Sequence, residues 1–357
     1  MNPPRIQRTD AMKAAVLTGK QTIRIEDRPA PEVQAGEVLV QVKACGICGT
    51  DIHAVFSGDF YPIGTVFGHE CAGIIATVGP DASGIRVGDR VVVSPAPPCG
   101  VCIHCRNGRD NLCANHLEDA IGSSTDRPGA CAEFIRIPKP DQMIHPLPDS
   151  ISFEQGSLVE PLAVAFHSVR QSRHQPGDAA VVLGAGPIGL GVVQFLRFCG
   201  AGRIIVLELS EKRAEMARRF GADMTVNPME IGSGVAEKIR SLTHDCGAEV
   251  VYECTGVPQV FKNALHYARS GGQVVAIGVI DKETPIDAFA LLTREIELKG
   301  SMCYTAAEFQ MVIDFIERGR IDTDGMISDV IALENLADKG FLERIRSTDT
   351  VKLIVKP

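Results

Sequence analysis

The sequence predicts an α/β protein of two domains. A β-rich domain takes residues 1–162 and 303–357, and a doubly wound parallel-sheet domain, residues 163–302, interrupts it. Three observations predict this. A chain of 357 residues, at roughly 150 per domain, suggests two domains. Before about residue 150 the apolar runs are short and β-branched, and Gly, Pro and Asp clusters bound them. From about Ala163 apolar strands alternate with amphipathic segments, the texture of βαβ units on a parallel sheet.

Taken in order, Glu37–Val42, Ala72–Val78 and Arg90–Val93 read as strands, with tight reversals at Gly79–Asp81 and Val87–Arg90. No helical periodicity of length precedes Ser152. In the second domain A-A-V-V-L leads into the helix pattern Pro187–Cys199, and R-I-I-V-L into Glu211–Phe220. Val250–Cys254, Gln259–Arg269 and Gln273–Gly278 continue strand, helix, strand. After Leu298 a helix pattern over Glu308–Arg318 and a last strand, Val351–Val355, close the chain. The segment from Glu308 onward is expected to return to the first domain. No internal repeat or low-complexity tract is present.

Composition narrows the function. Hydrophobic residues at 45% and charged residues at 22% are ordinary for a soluble globular protein. With 36 Lys+Arg against 44 Asp+Glu the net charge is −8, opposite in sign to that of a general nucleic-acid binder, so no nucleic-acid partner is expected. Met1–Asp10 carries three charges and no apolar core, unlike a secretion signal, and a cytoplasmic location is expected. Ala179–Leu196 holds eighteen residues without a charge. Its four Gly, one Pro and one Gln argue against a membrane span, so no membrane partner is expected.

The glycines matter where they cluster. V-V-L-G-A-G-P-I-G sets Gly184, Gly186 and Gly189 in G-x-G-x-x-G spacing directly after a strand. Such glycines serve a tight turn, close backbone approach to a pyrophosphate, and close packing of helix on sheet. Pro187 and Ile188 open the helix whose first N–H groups would face the phosphates. The next strand, Ile204–Leu207, ends in Glu208, nineteen residues past Gly189, where a carboxylate would accept from the adenosine ribose hydroxyls. Together these predict dinucleotide binding, with NAD favoured over NADP because Glu208 would repel a 2′-phosphate. Lys212 and Arg213 stand nearby, and Arg213 is expected to pack along the adenine face.

Two cysteine-bearing sets suggest metal. Cys99, Cys102, Cys105 and Cys113 read C-x2-C-x2-C-x7-C, and four close thiolates can enclose zinc in a saturated, structural site. An iron–sulfur cluster competes, but the bacterial ferredoxin run has three residues before its last Cys and Pro after it, against seven and Ala114 here. The zinc would brace the lobe Pro95–Asn115. The second set is scattered: Cys48, Thr50, Asp51 and His53 in C-G-I-C-G-T-D-I-H, His69 and Glu70 in G-H-E, and Glu160 in E-P-L-A-V-A-F-H. One thiolate, one imidazole and one carboxylate would leave a zinc position open, as catalysis requires. Spacing alone points to this set only weakly.

Five motifs in order, I-C-G-T-D-I-H, F-G-H-E, the four-cysteine comb, V-E-P-L-A-V and V-L-G-A-G-P-I-G-L, resemble the zinc-dependent medium-chain dehydrogenase/reductase family over essentially the whole chain. Within it the chain is most similar to the sorbitol, butanediol and threonine dehydrogenase branch. The resemblance implies a GroES-like catalytic domain, a Rossmann cofactor domain, and two zinc ions per subunit, one catalytic and one structural. It places the zinc-ligating Cys on Cys48, leaving Cys45 as a structural thiol, and the zinc-ligating His on His69. Glu70 and Glu160 both stand as carboxylate candidates, binding directly or through water. Asp51 is implied as the partner that fixes the His69 tautomer.

The resemblance also implies a reaction. Zinc makes an alcohol more acidic, much as it lowers the pKa of water from about 15.7 to about 7, and hydride passes from the alcohol carbon to NAD. Thr50 would take the proton and relay it through the ribose to His53, a residue type that titrates near neutrality. The implied substrate is a secondary alcohol, diol or small polyol. Met302–Tyr304 reads M-C-Y where sorbitol dehydrogenases resemble R-Y, so Cys303 offers no guanidinium to a polyhydroxy chain. Oxidation of a β-hydroxy amino acid such as threonine, and a zinc-free-type alkene reductase, are the alternatives. A homo-tetramer, or else a dimer, is expected, its cofactor domains joined along the strand Gln273–Gly278 and the segment after it.

Overall fold

The computed structural model describes residues 11–58, 60–116 and 120–357; Met1–Asp10, expected to be no secretion signal, lies outside the described residues. The chain divides into two units. One comprises Met1–Glu160, Thr305–Gly319 and Ile327–Pro357, the other Pro161–Tyr304 and Arg320–Met326.

The first unit opens on an antiparallel hairpin of β1 (Ala11–Gly19) and β2 (Thr22–Pro29). Its main sheet begins with β3 (Val38–Gly46), β4 (Glu70–Val78), β5 (Arg90–Val93), β6 (Phe134–Ile137) and β7 (Ile144–Pro146). These pair antiparallel, β3 with β4 and β6, β4 with β5, and β5 with β7. β-Branched side chains suit such half-buried pleats, and Val38, Val40, Val42, Ile75, Val91 and Ile135 bury together in one core.

Between β3 and β4 stands a helix that hydrophobic periodicity does not show, Gly49–Ser57. Its buried positions, Asp51, Ala54 and Val55, follow the i, i+3, i+4 rule of a helix facing a core. A carboxylate fills the first of them, which is why the apolar pattern is missing. A helix therefore precedes Ser152 although no helical periodicity of length does.

The second unit is a parallel sheet of β8 (Ala179–Leu183), β9 (Arg203–Leu207), β10 (Met224–Val226), β11 (Ala248–Glu253), β12 (Ala268–Ala276) and β13 (Glu297–Gly300). Their order is β10-β9-β8-β11-β12-β13. The chain winds outward from β8 to β10, then returns to the other side of β8. A doubly wound sheet of this kind has its topological switch point between β8 and β11. The charge-free run Ala179–Leu196 is β8, the glycine turn, and a helix, Pro187–Phe198, whose residues from Gly189 to Leu196 are all buried. No helix among the described residues is long and apolar enough to cross a membrane.

Two placements differ from the sequence expectation. β12 is hydrogen-bonded on both sides, by β11 and β13, so it cannot be the joining edge; β13 is the open edge on that side. Arg320–Met326 packs with the second unit rather than the first. Gln194 explains why: its Nε2 donates to Asp322 O (3.1 Å) and its Oε1 accepts from Asp322 N (2.7 Å), while Arg219 pairs with the Asp322 carboxylate at 2.7 Å.

The chain then closes the first unit with β14 (Ile327–Ala332) and β15 (Lys352–Lys356). β15 lies antiparallel to β3, setting Ile354 opposite Gly46, and β3 in turn sets Gly46 opposite Glu70. The last strand is thereby brought beside G-H-E.

Candidate metal centres and dinucleotide-binding turn

Two elements of the first unit converge on one point. Cys48 precedes the helix Gly49–Ser57, and His69 and Glu70 enter β4. One ligand atom from each of Cys48, His69 and Glu70 lies within 4.8 Å of the others. Asp51 Oδ2 accepts from Cys48 N at 3.0 Å, pinning the start of the helix, and Asp51 Oδ1 lies 3.7 Å from His69 Nδ1. That distance is an electrostatic contact, longer than a hydrogen bond. Burial pushes the Asp51 carboxyl up, against the pull of His69. For His69, burial opposes the charged form, but the charges of Cys48, Asp51 and Glu160 prevail and hold its pKa well above the ordinary value.

Glu160, near the start of the helix Val159–Gln171, is buried but stands outside the trio. Its charge still acts on His69, Tyr61 and Lys352. Lys352 is the residue that sequence reasoning missed. It is 2% exposed, and its Nζ donates to Glu70 Oε1 (2.8 Å), Glu70 Oε2 (2.6 Å) and Ile47 O (3.0 Å). Burial opposes its charge, yet Glu70 holds its pKa above the usual lysine value. The only signal in the sequence is one lysine inside the apolar strand V-K-L-I-V. Gly46 makes room for the pair, since a Cβ there would fall 2.2 Å from Glu70 Oε2.

Thr50 and His53 lie three residues apart on the same helix, and so share a face. The His53 ring meets Phe60 edge-on at 4.9 Å. Tyr61 is buried beside them, its phenol pushed up by burial and by the Asp51 charge. Thr50 Oγ1 and Asp51 Oδ1 are buried without a hydrogen-bond partner among the described residues. Asp51 Oδ1 faces His69 Nδ1, and the Thr50 hydroxyl lies beside the Tyr61 phenol. The mixed thiol, imidazole and carboxylate set suits zinc with one position open.

The comb is gathered as tightly. One sulfur from each of Cys99, Cys102, Cys105 and Cys113 lies within 4.8 Å of the others, with Cys99–Cys105 at 3.9 Å and Cys102–Cys105 at 3.5 Å. A tetrahedron with Zn–S bonds of ~2.3 Å has edges of about 3.8 Å, so the four fit that ion. Backbone N–H groups already point at sulfur, Cys99 at Cys113 (3.2 Å) and Cys102 at Cys99 (3.3 Å). The N–H of Cys105 brings the Cys102 thiol down to about 6, while burial takes Cys105 up to about 12. Cys45 lies apart from both sets, fully buried, 3.9 Å from the Cys131 sulfur.

In the second unit the glycine turn leaves β8 at the switch point. Gly184 has φ +89°, and a Cβ on Gly189 would fall 1.9 Å from Gly184 O. A Cβ on Gly186 would meet nothing within 4 Å. Packing explains the first and third glycines; open space beside the second is what an approaching phosphate needs. Gly186 caps the helix that Pro187 and Ile188 open. Glu208 directly follows β9, its Oε2 accepting from Ala185 N (2.7 Å) and its Oε1 from Leu209 N (2.7 Å) and Ser210 N (2.9 Å). Of a carboxylate's roughly four lone-pair positions, this leaves about one for a ribose hydroxyl, where the sequence expectation assigns two. Arg213 N donates to Ser210 Oγ (3.3 Å), which sets its side chain on the first turn of the following helix.

Residues 34–149 match the alcohol dehydrogenase GroES-like domain, and residues 187–318 the zinc-binding dehydrogenase domain. The chain is 36% identical over 332 residues to a sorbitol dehydrogenase of Bacillus subtilis (strain 168), covering 92% of each chain. Among solved structures it is similar to 2R,3R-butanediol dehydrogenase from Bacillus subtilis, with a TM-score of 0.86, 33% identity, and coverage of 97% of this chain and 99% of that one. A Sinorhizobium meliloti 1021 protein solved bound to NADP gives a TM-score of 0.88 at 32% identity, covering 98% of this chain and 100% of that one.

Proposed function

The chain belongs to the zinc-dependent medium-chain dehydrogenase/reductase family, in its polyol dehydrogenase branch, and we propose that it oxidises a secondary alcohol, diol or small polyol to the ketone with NAD. The observation that carries this reading is the trio Cys48, His69 and Glu70, three unlike donors around one point, with a buried lysine on the carboxylate. Bound there, zinc would supply Lewis acidity that acidifies the substrate hydroxyl and polarises the product carbonyl, and NAD would accept the hydride. Thr50 takes the hydroxyl proton at Oγ1, and His53, one helical turn on, passes it toward solvent. Lys352 keeps half of the trio's negative charge compensated, which leaves Glu70 a weaker donor than a free carboxylate. Glu160 stands as the alternative carboxylate.

The comb would hold a second, structural zinc. The substrate class follows the relatives, named for sorbitol and for 2R,3R-butanediol. Cys303, at φ +47°, brings no cation for a long polyhydroxy chain, which favours short diols. Glu208 supports NAD, and the NADP-bound Sinorhizobium protein names the competitor. A homo-tetramer or dimer in the cytoplasm completes the reading, with the open edge β13 as the joining strand.

The test pairs metal analysis with reduction of NAD and NADP over a panel of C4–C6 diols, polyols and threonine. Two zinc ions per chain and NAD reduction by a diol are expected. One zinc or none in active protein sinks the two-site reading. Equal kcat/KM for NADP would mean that Glu208 does not face the ribose.

A further inference from the structure

At the end of β11 stands a buried carboxylate that the reaction does not use. Glu253 is 0% exposed, and its side chain turns back on the residues that follow it. Oε1 accepts from Thr255 N (2.8 Å), from Gly256 N (3.2 Å) and, through a short hydrogen bond, from Thr255 Oγ1. Oε2 also lies 3.2 Å from Gly256 N. The main-chain oxygen of Glu253 accepts from Ile277 N (2.9 Å) and Gly278 N (3.0 Å), in the turn after β12. The next residue, Cys254, donates its N–H to Leu183 O (3.1 Å) at the end of β8. Adjacent residues thus tie together the ends of three neighbouring strands.

The packing leaves no slack. A Cβ on Gly278 would fall 2.1 Å from Gly256 N and 2.8 Å from Glu253 Oε2, and one on Gly256 would fall 2.5 Å from Val279 O. A Cβ on Gly184, in the glycine turn, would fall 2.6 Å from Thr255 Cγ2. Displacing the Glu253 carboxylate therefore displaces both the Thr255–Gly256 turn and the turn after β12.

Topology says which part of a dinucleotide these turns face. The ligand lies across the switch point, one mononucleotide half on each side. Glu208 places the adenosine half over β8 and β9, so the nicotinamide half falls to the side of β11 and β12. We propose that Glu253 is the positioning residue for the nicotinamide half of the cofactor, acting through the Thr255–Gly256 turn that its carboxylate holds. This rests on the dinucleotide-binding reading. Burial holds the Glu253 carboxyl above the usual carboxylate range, and the Thr255 and Gly256 hydrogen bonds only partly offset it.

The experiment measures NADH binding to the full-length protein by nicotinamide fluorescence, and AMP binding by displacement of NADH. AMP reports the adenosine half alone. Glu253→Gln keeps the shape but removes the charge, and with its amide oxygen in the Oε1 position it sets an NH2 donor against the Gly256 N–H. It is expected to weaken NADH about tenfold, the loss of one or two hydrogen bonds, with AMP affinity held within about twofold. Thr255 is exposed, so Thr255→Val is expected to fold, to weaken NADH and to shift the emission of bound NADH, and Thr255→Ser to restore both. NADH and AMP weakened in parallel, or NADH binding unchanged in Glu253→Gln and Thr255→Val, would overturn the assignment. A wild-type protein that binds neither NADH nor AMP would instead overturn the dinucleotide reading beneath it.

Discussion

The two candidate metal centres of the first unit are built in opposite ways. The comb takes all four sulfurs from fifteen consecutive residues, with Cys99, Cys102 and Cys105 only partly buried. The trio takes Cys48 from the start of a helix, His69 from the residue before β4 and Glu70 from the first position of β4, and leans on Lys352, 282 residues beyond Glu70. A local set needs little from the fold, because short spacings and backbone N–H groups already aim its sulfurs. A distributed set exists only once β15, β3 and β4 lie side by side. Four like donors saturate an ion, whereas three unlike donors leave it open. On the proposed reading, the difference separates a brace from a reaction centre.

The sharpest way to break this comparison is to remove one sulfur from each. Cys48→Ser is expected to lower turnover by ~10³-fold or more, since the Lewis acid is worth several kcal/mol to the transition state. It should release one zinc of two and leave Tm nearly unchanged. Cys102→Ser is expected to release the other zinc, lower Tm by several degrees, and keep most of the activity of the molecules that stay folded. The checks are zinc content, thermal melts and steady-state rates on the same preparations. Exchanged outcomes would reverse the two roles.

The next largest effect concerns the long-range partner. In metal-stripped protein Lys352→Ala leaves the Glu70 carboxylate buried and unpaired, a change expected to cost about 3–5 kcal/mol. Urea unfolding should show it as a lowered midpoint at unchanged slope. A loss under about 1 kcal/mol would mean that Glu70 finds another partner, and the trio would then be less dependent on β15 than its geometry implies.

Legibility in the sequence follows the same division. Periodicity shows the alternating strands and helices of the second unit, because each buries its own apolar stripe or run. The comb and the glycine turn are legible from spacing, since their physics is local. The trio needed family resemblance to group Cys48 with His69 and Glu70. The helix Gly49–Ser57 escaped because Asp51 fills a core position with charge. Lys352 escaped because only the pairing of β15 with β3 brings it to Glu70, and no window of sequence contains both. The misplaced sheet edge has a local cause: β13, E-L-K-G, is too short and polar to read as a strand.

Within the trio's surroundings a smaller effect sharpens the reading. Thr50→Val keeps the side-chain shape and loses the hydroxyl, and turnover is expected to fall about 10²-fold with NAD binding little changed. His53→Ala should cost less and worsen as pH falls, because hydroxide that could replace the relay grows scarcer. Added imidazole should restore part of the rate. Rates for both variants from pH 6 to 9 check this. Unchanged turnover in Thr50→Val would mean that water takes the proton.

The smallest effect tests the comb without touching activity. In metal-stripped protein the Cys102 thiol, drawn down to about 6 by the Cys105 N–H, is a thiolate at neutral pH. The thiolate is the nucleophile, so Cys102 is expected to react with iodoacetamide before Cys105, which burial takes up to about 12. The sign follows from the lowered value: Cys102 stays reactive as pH falls from 8 toward 6 and slows once pH drops below about 6. Cys105 should remain unlabelled throughout. Peptide mass spectrometry after a short alkylation at several pH values reads both sites. If the two were labelled at equal rates, the lobe would not aim its N–H groups at sulfur without metal, and the comb would be organised by the ion rather than by its own backbone.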